Sequence, residues 1–142
     1  MTNIGPSEEQ INSIVSILSI GDFKEALEKT AVLCQKFPRE SLLFNLRGAC
    51  YQGLGQLDTA VENYQNAIAI NPSFYKAHYN LGGIFHELRM LDASIESFER
   101  AIEIKPDYAE ANNNIGNVFK ELGDFDNAIK MSLIHISEPT RP

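Results

Sequence analysis

The chain has 142 residues and a formal net charge of −7, with 44% hydrophobic and 22% charged residues, enough length for one sizeable core. It has no run of 18 apolar residues, which argues against a membrane span, and its 12 Lys and Arg are scattered, which argues against nucleic acid, because phosphate binding needs clustered cations. The opening MTNIGPSEEQ has neither a basic nor an apolar segment, so no secretory leader is expected and the cytoplasm is the default compartment.

Residues 1–6 read as a frayed tail, with Gly5-Pro6 as a breaker. Ser7 offers an N-cap hydroxyl, Glu8 and Glu9 put acid in a first helical turn, and Gln10 completes a capping box. Ile11, Ile14, Val15 and Leu18 then form an apolar face. Gly21-Asp22 turns the chain into a second helix, about Phe23 to Lys36, which Phe37-Pro38 ends. Two helices are expected at about 42–54 and 58–70, with Gly55 as the left-handed residue of their turn, Asp58 as a cap and Asn71-Pro72 as the stop. Two more are expected at about 75–88 and 92–104. In them Leu81, Gly82, Phe85 and Leu88, then Ile95, Phe98, Ala101 and Ile102, recur at helical spacing. Their turn carries Arg89-Met90, so Arg89 is expected to adopt the turn conformation at a cost of about 1 kcal/mol. A seventh helix is expected from Ala109 to about Leu122, then a Gly123-Asp124 turn and an eighth helix from about Asp126.

One period runs through these elements. Pro38, Pro72 and Pro106 lie 34 residues apart, as do Gly48, Gly82 and Gly116. Ala26, Ala60, Ser94 and Ala128 keep the same spacing, and so do Phe23, Leu57, Leu91 and Phe125. Four columns on one period mark a stacked array, because a single helical hairpin cannot bury its own apolar face.

The chain resembles the tetratricopeptide repeat (TPR) family over roughly residues 7–131. Residues 75–108 match the family's packing positions at Leu81-Gly82, Phe85, Ser94, Phe98, Ala101 and Pro106. Residues 41–74 match at Phe44, Gly48, Tyr51, Gly55, Ala60, Tyr64, Ala67 and Pro72, with Arg47 where leucine is usual. An incomplete repeat at 109–131 matches at Ile115-Gly116, Phe119, Gly123 and Ala128. Residues 7–40 are degenerate: Gly21, Phe23, Ala26 and Pro38 fit, but Ile14 replaces the first-helix glycine and Thr30 the second-helix aromatic. The resemblance implies an all-α, right-handed solenoid of helix-turn-helix repeats.

After Met131 the pattern stops. Ser132 takes the aromatic slot and His135 the alanine slot, and the ending SLIHISEPTRP looks like translated adapter sequence. On that reading residues 132–142 are a non-native tail and the natural protein is longer.

No constellation of residues points to catalysis. Cys34 and Cys50 form no CxxC and read as reduced, buried, small apolar side chains. His78 falls at a packing position. His86 and Glu87 are adjacent and so do not share a helical face, and His135 lies in the tail. Glu96, Glu99 and Glu103 surround Arg100 and read as a solvated face. No metal or cofactor set is expected.

What remains is a surface. The resemblance implies a concave groove lined by the first helix of each repeat, here through Asn45, Gln52, Lys76, Tyr79, Asn80, His86, Asn113, Asn114, Asn117 and Lys120, with Leu42, Leu46, Ala49, Gly83 and Glu110 alongside. Asn80 and Asn114 share one column. Amides there can satisfy the backbone of an extended peptide, as similar arrays of protein O-glycosyltransferases do, or can bond between helices and fix the stacking. A clamp for a terminal carboxylate is not expected. Of its positions only Asn80 matches, and Glu110 has the wrong sign. The implied function is a protein–protein interaction module that docks an extended segment of another protein or of its own missing C-terminal part. The alternative is the N-terminal repeat region of a sulfotransferase- or glycosyltransferase-type enzyme. The stretch FPRESLLFNLRGACYQGLGQLD looks like such bacterial multidomain proteins.

Overall fold

The computed structural model describes the backbone of residues 5–137, with side chains up to Asp126 and at Ile129. Expectations for residues 1–4 and 138–142, and for the side chains of Ala128, Ser132, Ile134, His135 and Ile136, lie outside the described residues. Seven helices follow one another: α1 (Glu8–Ser19), α2 (Phe23–Lys36), α3 (Ser41–Gly53), α4 (Leu57–Ile70), α5 (Tyr75–Glu87), α6 (Leu91–Ile104) and α7 (Ala109–Ser137). No strand occurs among the described residues.

Local chemistry sets the helix ends. Ser7 Oγ accepts from the Gln10 N–H and the Gln10 side chain accepts from the Ser7 N–H, so the capping box forms. Asp22 caps α2 by accepting from Glu25 N. Asp58 does not cap α4. It lies inside the first turn, and the N-cap is Gln56, with no side-chain bond.

The turns after α1, α3 and α5 share one hydrogen-bond pattern. Gly55 N donates to Gln52 O and Gln56 N to Tyr51 O, and the same pair recurs around Gly21 and Arg89. The residue at the left-handed position is Gly21 (φ 85°), Gly55 (φ 79°) or Arg89 (φ 62°). Arg89 therefore accepts the strain expected of it, held by the two flanking bonds and by a hydrogen bond from its guanidinium to Glu121.

Within the second and third hairpins a glycine meets a ring. A Cβ on Gly48 would sit 2.7 Å from the Tyr64 ring, and one on Gly82 would sit 2.7 Å from the Phe98 ring. Ser94 uses the same close approach to donate to Gly82 O at 2.7 Å. In the first hairpin the sizes are reversed: Ile14 and Thr30 are both fully buried, and Thr30 returns its hydroxyl to Ala26 O. Arg47, in the column of Leu81 and Ile115, keeps its charge solvated by protein. Its Nε donates to Asn63 Oδ1 at 2.7 Å, and its guanidinium lies 5.1 Å from the Phe44 ring centroid.

The fourth hairpin departs from expectation. The Gly123-Asp124 turn is absent, and α7 runs unbroken through both halves of the repeat and into the tail, to Ser137. The column explains it. Among the described residues no atom lies within 4 Å of a would-be Cβ on Gly116, and the sequence holds serine at 132, where Tyr64 and Phe98 stand in the earlier repeats. With two small residues in the pair, closing the hairpin gains little burial and gives up intrahelical hydrogen bonds at the turn.

Gly82→Ala should therefore cost about 1–3 kcal/mol, because the Cβ has to displace a buried ring. Gly116→Ala should stabilise by about 0.5–1 kcal/mol through helix propensity alone. Urea midpoints of the two variants check this; equal shifts would contradict it.

Candidate functional site

The contacts between helices define an inside and an outside. The first helices touch in series, α1 to α3, α3 to α5 and α5 to α7, while α2, α4 and α6 do not touch one another. The inner layer is thus the tighter one, and the array curves towards it.

Two polar rungs tie this inner layer. Asn80 Nδ2 donates to Asn45 Oδ1 at 3.0 Å, joining α5 to α3. Asn114 Nδ2 donates to the Tyr79 hydroxyl at 2.9 Å, joining α7 to α5. Asn45 is buried, while Asn80, Asn114 and Tyr79 are half-buried. Of the two roles open to the shared asparagine column, bonding between helices is the one the described residues display. The Oδ1 oxygens of Asn80 and Asn114 accept nothing from the described residues.

The other groove candidates divide. Gln52 is half-buried and its Oε1 accepts from the Tyr64 hydroxyl at 2.7 Å, a contact inside its own hairpin. His86 Nε2 donates to Glu121 Oε2 at 2.7 Å, and Arg89 reaches the same oxygen at 2.8 Å. Those two bonds hold the Glu121 carboxyl below its ordinary value. Lys76, Asn113, Asn117 and Lys120 are exposed, and neither lysine has an acidic partner within the described residues. The inner face accordingly offers free amides, two ammonium groups and the exposed Glu110 carboxylate at its α5–α7 end, on a base held by internal bonds.

The sequence did not single out an aromatic group under that end. The Tyr75 and Tyr108 centroids lie 5.2 Å apart edge to face, Tyr79 stands 5.1 Å from Tyr108 and 5.6 Å from Phe98, and Lys105 Nζ lies 5.0 Å from Tyr75 and 5.5 Å from Tyr108. It marks Tyr79 and Phe98 only singly, as a groove and a packing residue, and does not mark Tyr75, Tyr108 or Lys105. Glu121, which ties α7 to α5, was likewise missed. It lies 35 residues from His86, so a strict 34-residue column does not pair them.

The remaining reactive groups are internal. His78 is buried and donates from Nε2 to Pro72 O at 3.0 Å. Cys34 and Cys50 are free and buried, and burial pushes both thiols up. No group of three or more His, Cys, Asp or Glu among the described residues could hold a metal, and no helix there is long and apolar enough to cross a membrane.

The sequence pattern of the TPR repeat matches residues 49–89 and 90–123, more than half of the chain, which therefore belongs to the TPR repeat family. Comparison with curated proteins gives no match. Many solved structures share the fold, and three illustrate it. The first TPR of Spaghetti (RPAP3), bound to the HSP90 peptide SRMEEVD, is 22% identical with a TM-score of 0.76, over 86% of this chain and 99% of that one. The Sgt2 TPR domain from Aspergillus fumigatus is 16% identical with a TM-score of 0.80, over 100% and 92%. The Yersinia enterocolitica type III secretion chaperone SycD, in complex with a peptide of the translocator YopD, is 18% identical with a TM-score of 0.74, over 84% and 93%.

Burial pushes the Tyr108 hydroxyl up to about 12 and raises that of Tyr64 as well. The unfolded value is about 10. The stability tied to neutral Tyr64 and Tyr108 is thus fully present below pH 10 and is lost as pH rises through the folded value. Tyrosinate absorbance and helical circular dichroism followed together should show part of the tyrosine titration arriving only with loss of helix above about pH 10. Complete ionisation with the helix signal intact would contradict the burial.

Proposed function

We propose that this chain is a protein–protein interaction module whose concave groove holds an extended peptide segment. The observation that carries the reading is the inner face itself: exposed Asn113, Asn117, Lys76 and Lys120 above amide rungs whose geometry is already fixed. The rung amides of Asn80 and Asn114 meet a peptide backbone with acceptors that need no reordering, while the exposed asparagines and lysines are ordered on binding at a cost in entropy. The reading is supported by structures of the same fold that carry peptides, among them RPAP3 with an HSP90 peptide and SycD with a YopD peptide. The buried Asn45 and the exposed Glu110 do not suit an acidic C-terminal tail, so the ligand is read as an internal stretch rather than a chain end. The proposed setting is the cytoplasm of a bacterium. Free buried Cys34 and Cys50 suit a reducing compartment, and FPRESLLFNLRGACYQGLGQLD resembles bacterial proteins. The role is binding rather than catalysis.

The test is selection from a random-peptide display library, followed by affinities for the selected peptides. Asn113→Ala with Asn117→Ala should weaken binding about tenfold, or about 1.4 kcal/mol, with an unchanged urea midpoint. Asn80→Ala with Asn114→Ala should lower both affinity and midpoint, because those amides also join helices. Glu96→Ala with Glu99→Ala, on α6 in the outer layer, should change neither. Wild-type affinity in the Asn113/Asn117 variant would refute the groove.

A further inference from the structure

Gly48 and Gly82 are buried under the rings of Tyr64 and Phe98, but Gly116, the next member of that column, is exposed, and no described atom lies within 4 Å of a would-be Cβ there. The column of Tyr51, Phe85 and Phe119 changes in the same way. Tyr51 and Phe85 are half-buried against the cluster of Ala60, Tyr64, Leu81 and Ile84, whereas Phe119 is 50% exposed. Asn112, Gly116, Phe119 and Gly123 follow one another at helical spacing and all are exposed, so they form one open face of α7. On α3 and α5 the second helix of the hairpin covers this face. Because α7 runs straight on, no second helix of its own hairpin lies there.

This face holds both halves of the contact that closes the second and third hairpins: a gap at Gly116 and a ring at Phe119, one turn apart. A second copy running antiparallel brings the same two groups in the opposite order. Phe119 of each chain then seats on Gly116 of the other, about one two-fold axis. The same pairing sets Gly123 against Asn112 and Asp126 against Ala109, the first residue of α7. Asp126 is exposed, and it thereby meets the N-terminal end of a helix, whose free N–H groups and dipole favour an anion.

We infer that α7 is a self-association surface, occupied by a second copy of this chain as an antiparallel helix pair. An unrelated helix would have to supply its own ring and gap in this order; a second copy carries both by symmetry. The pairing draws on residues 109–126, does not depend on the groove reading, and leaves Asn113 and Asn117 on the adjoining face. One helix face per copy is small beside the roughly 800 Å² per partner of a standard interface, so the dimer should be weak, with a dissociation constant of about 10–100 μM.

Sedimentation equilibrium of the full chain from about 5 μM to about 1 mM should show a monomer–dimer equilibrium. Gly116→Leu and Phe119→Glu should each weaken it at least about tenfold, with the circular dichroism of the dilute protein unchanged, because both sites are exposed in the single chain. Gly116→Phe alone should abolish the dimer. Gly116→Phe with Phe119→Gly in one chain exchanges ring and gap on the same face and should restore it. A chain monomeric at every concentration, whether Phe119 stays open, is covered by residues 124–137 folding back or is kept for another protein, would overturn the inference. So would a dimer that Gly116→Leu and Phe119→Glu leave intact, or one that the exchanged pair fails to restore.

Discussion

The approach of a glycine to an aromatic ring controls this structure. Gly48 under Tyr64 and Gly82 under Phe98 let the two helices of a hairpin come close enough for Ser94 to reach the Gly82 carbonyl. The pair occurs twice, 34 residues apart. The pair need not be glycine and ring. Ile14 and Thr30 fill the same site with the sizes reversed, and that hairpin also closes. Summed volume is the constraint, as it is in any close-packed core. Where both members are small, at Gly116 and Ser132, the chain continues as one helix.

The site follows from the same packing. Close hairpins bring the first helices into contact while the second helices stay apart, so the array curves towards the first helices. Asparagines there join the helices. Their Nδ2 groups bridge α3 to α5 and α5 to α7, which fixes the amide planes, and the Oδ1 atoms of Asn80 and Asn114 remain able to accept. Function on such a scaffold resides in a preorganised surface, and the family sets the shape of that surface without naming its ligand.

Much of the fold could be read from residues. Proline and glycine columns placed six helices and three turns, and even the odd member, Arg89, could be assigned its left-handed role from its column. The fourth turn could not. Gly123-Asp124 is a sound local signal, but whether a turn closes depends on what the two helices find when they meet. Site residues were legible as columns and not as contacts. The bridges Asn45–Asn80, Tyr79–Asn114 and His86–Glu121 each join neighbouring columns 35 residues apart, so a strict period passes over them. Gln52 shows the same limit: it lies in a groove column, yet its side chain bonds with the Tyr64 hydroxyl of its own hairpin.

The most direct test is a double-mutant cycle that rewrites one hairpin in the terms of another. Gly82→Ile and Phe98→Thr copy the Ile14–Thr30 pair of the first repeat. Each alone should be strongly destabilising, the first by overpacking and the second by leaving a cavity. Together they should recover stability, with a coupling of at least about 1 kcal/mol in urea midpoints. Additive losses would show that the volume of this pair does not hold the hairpin together.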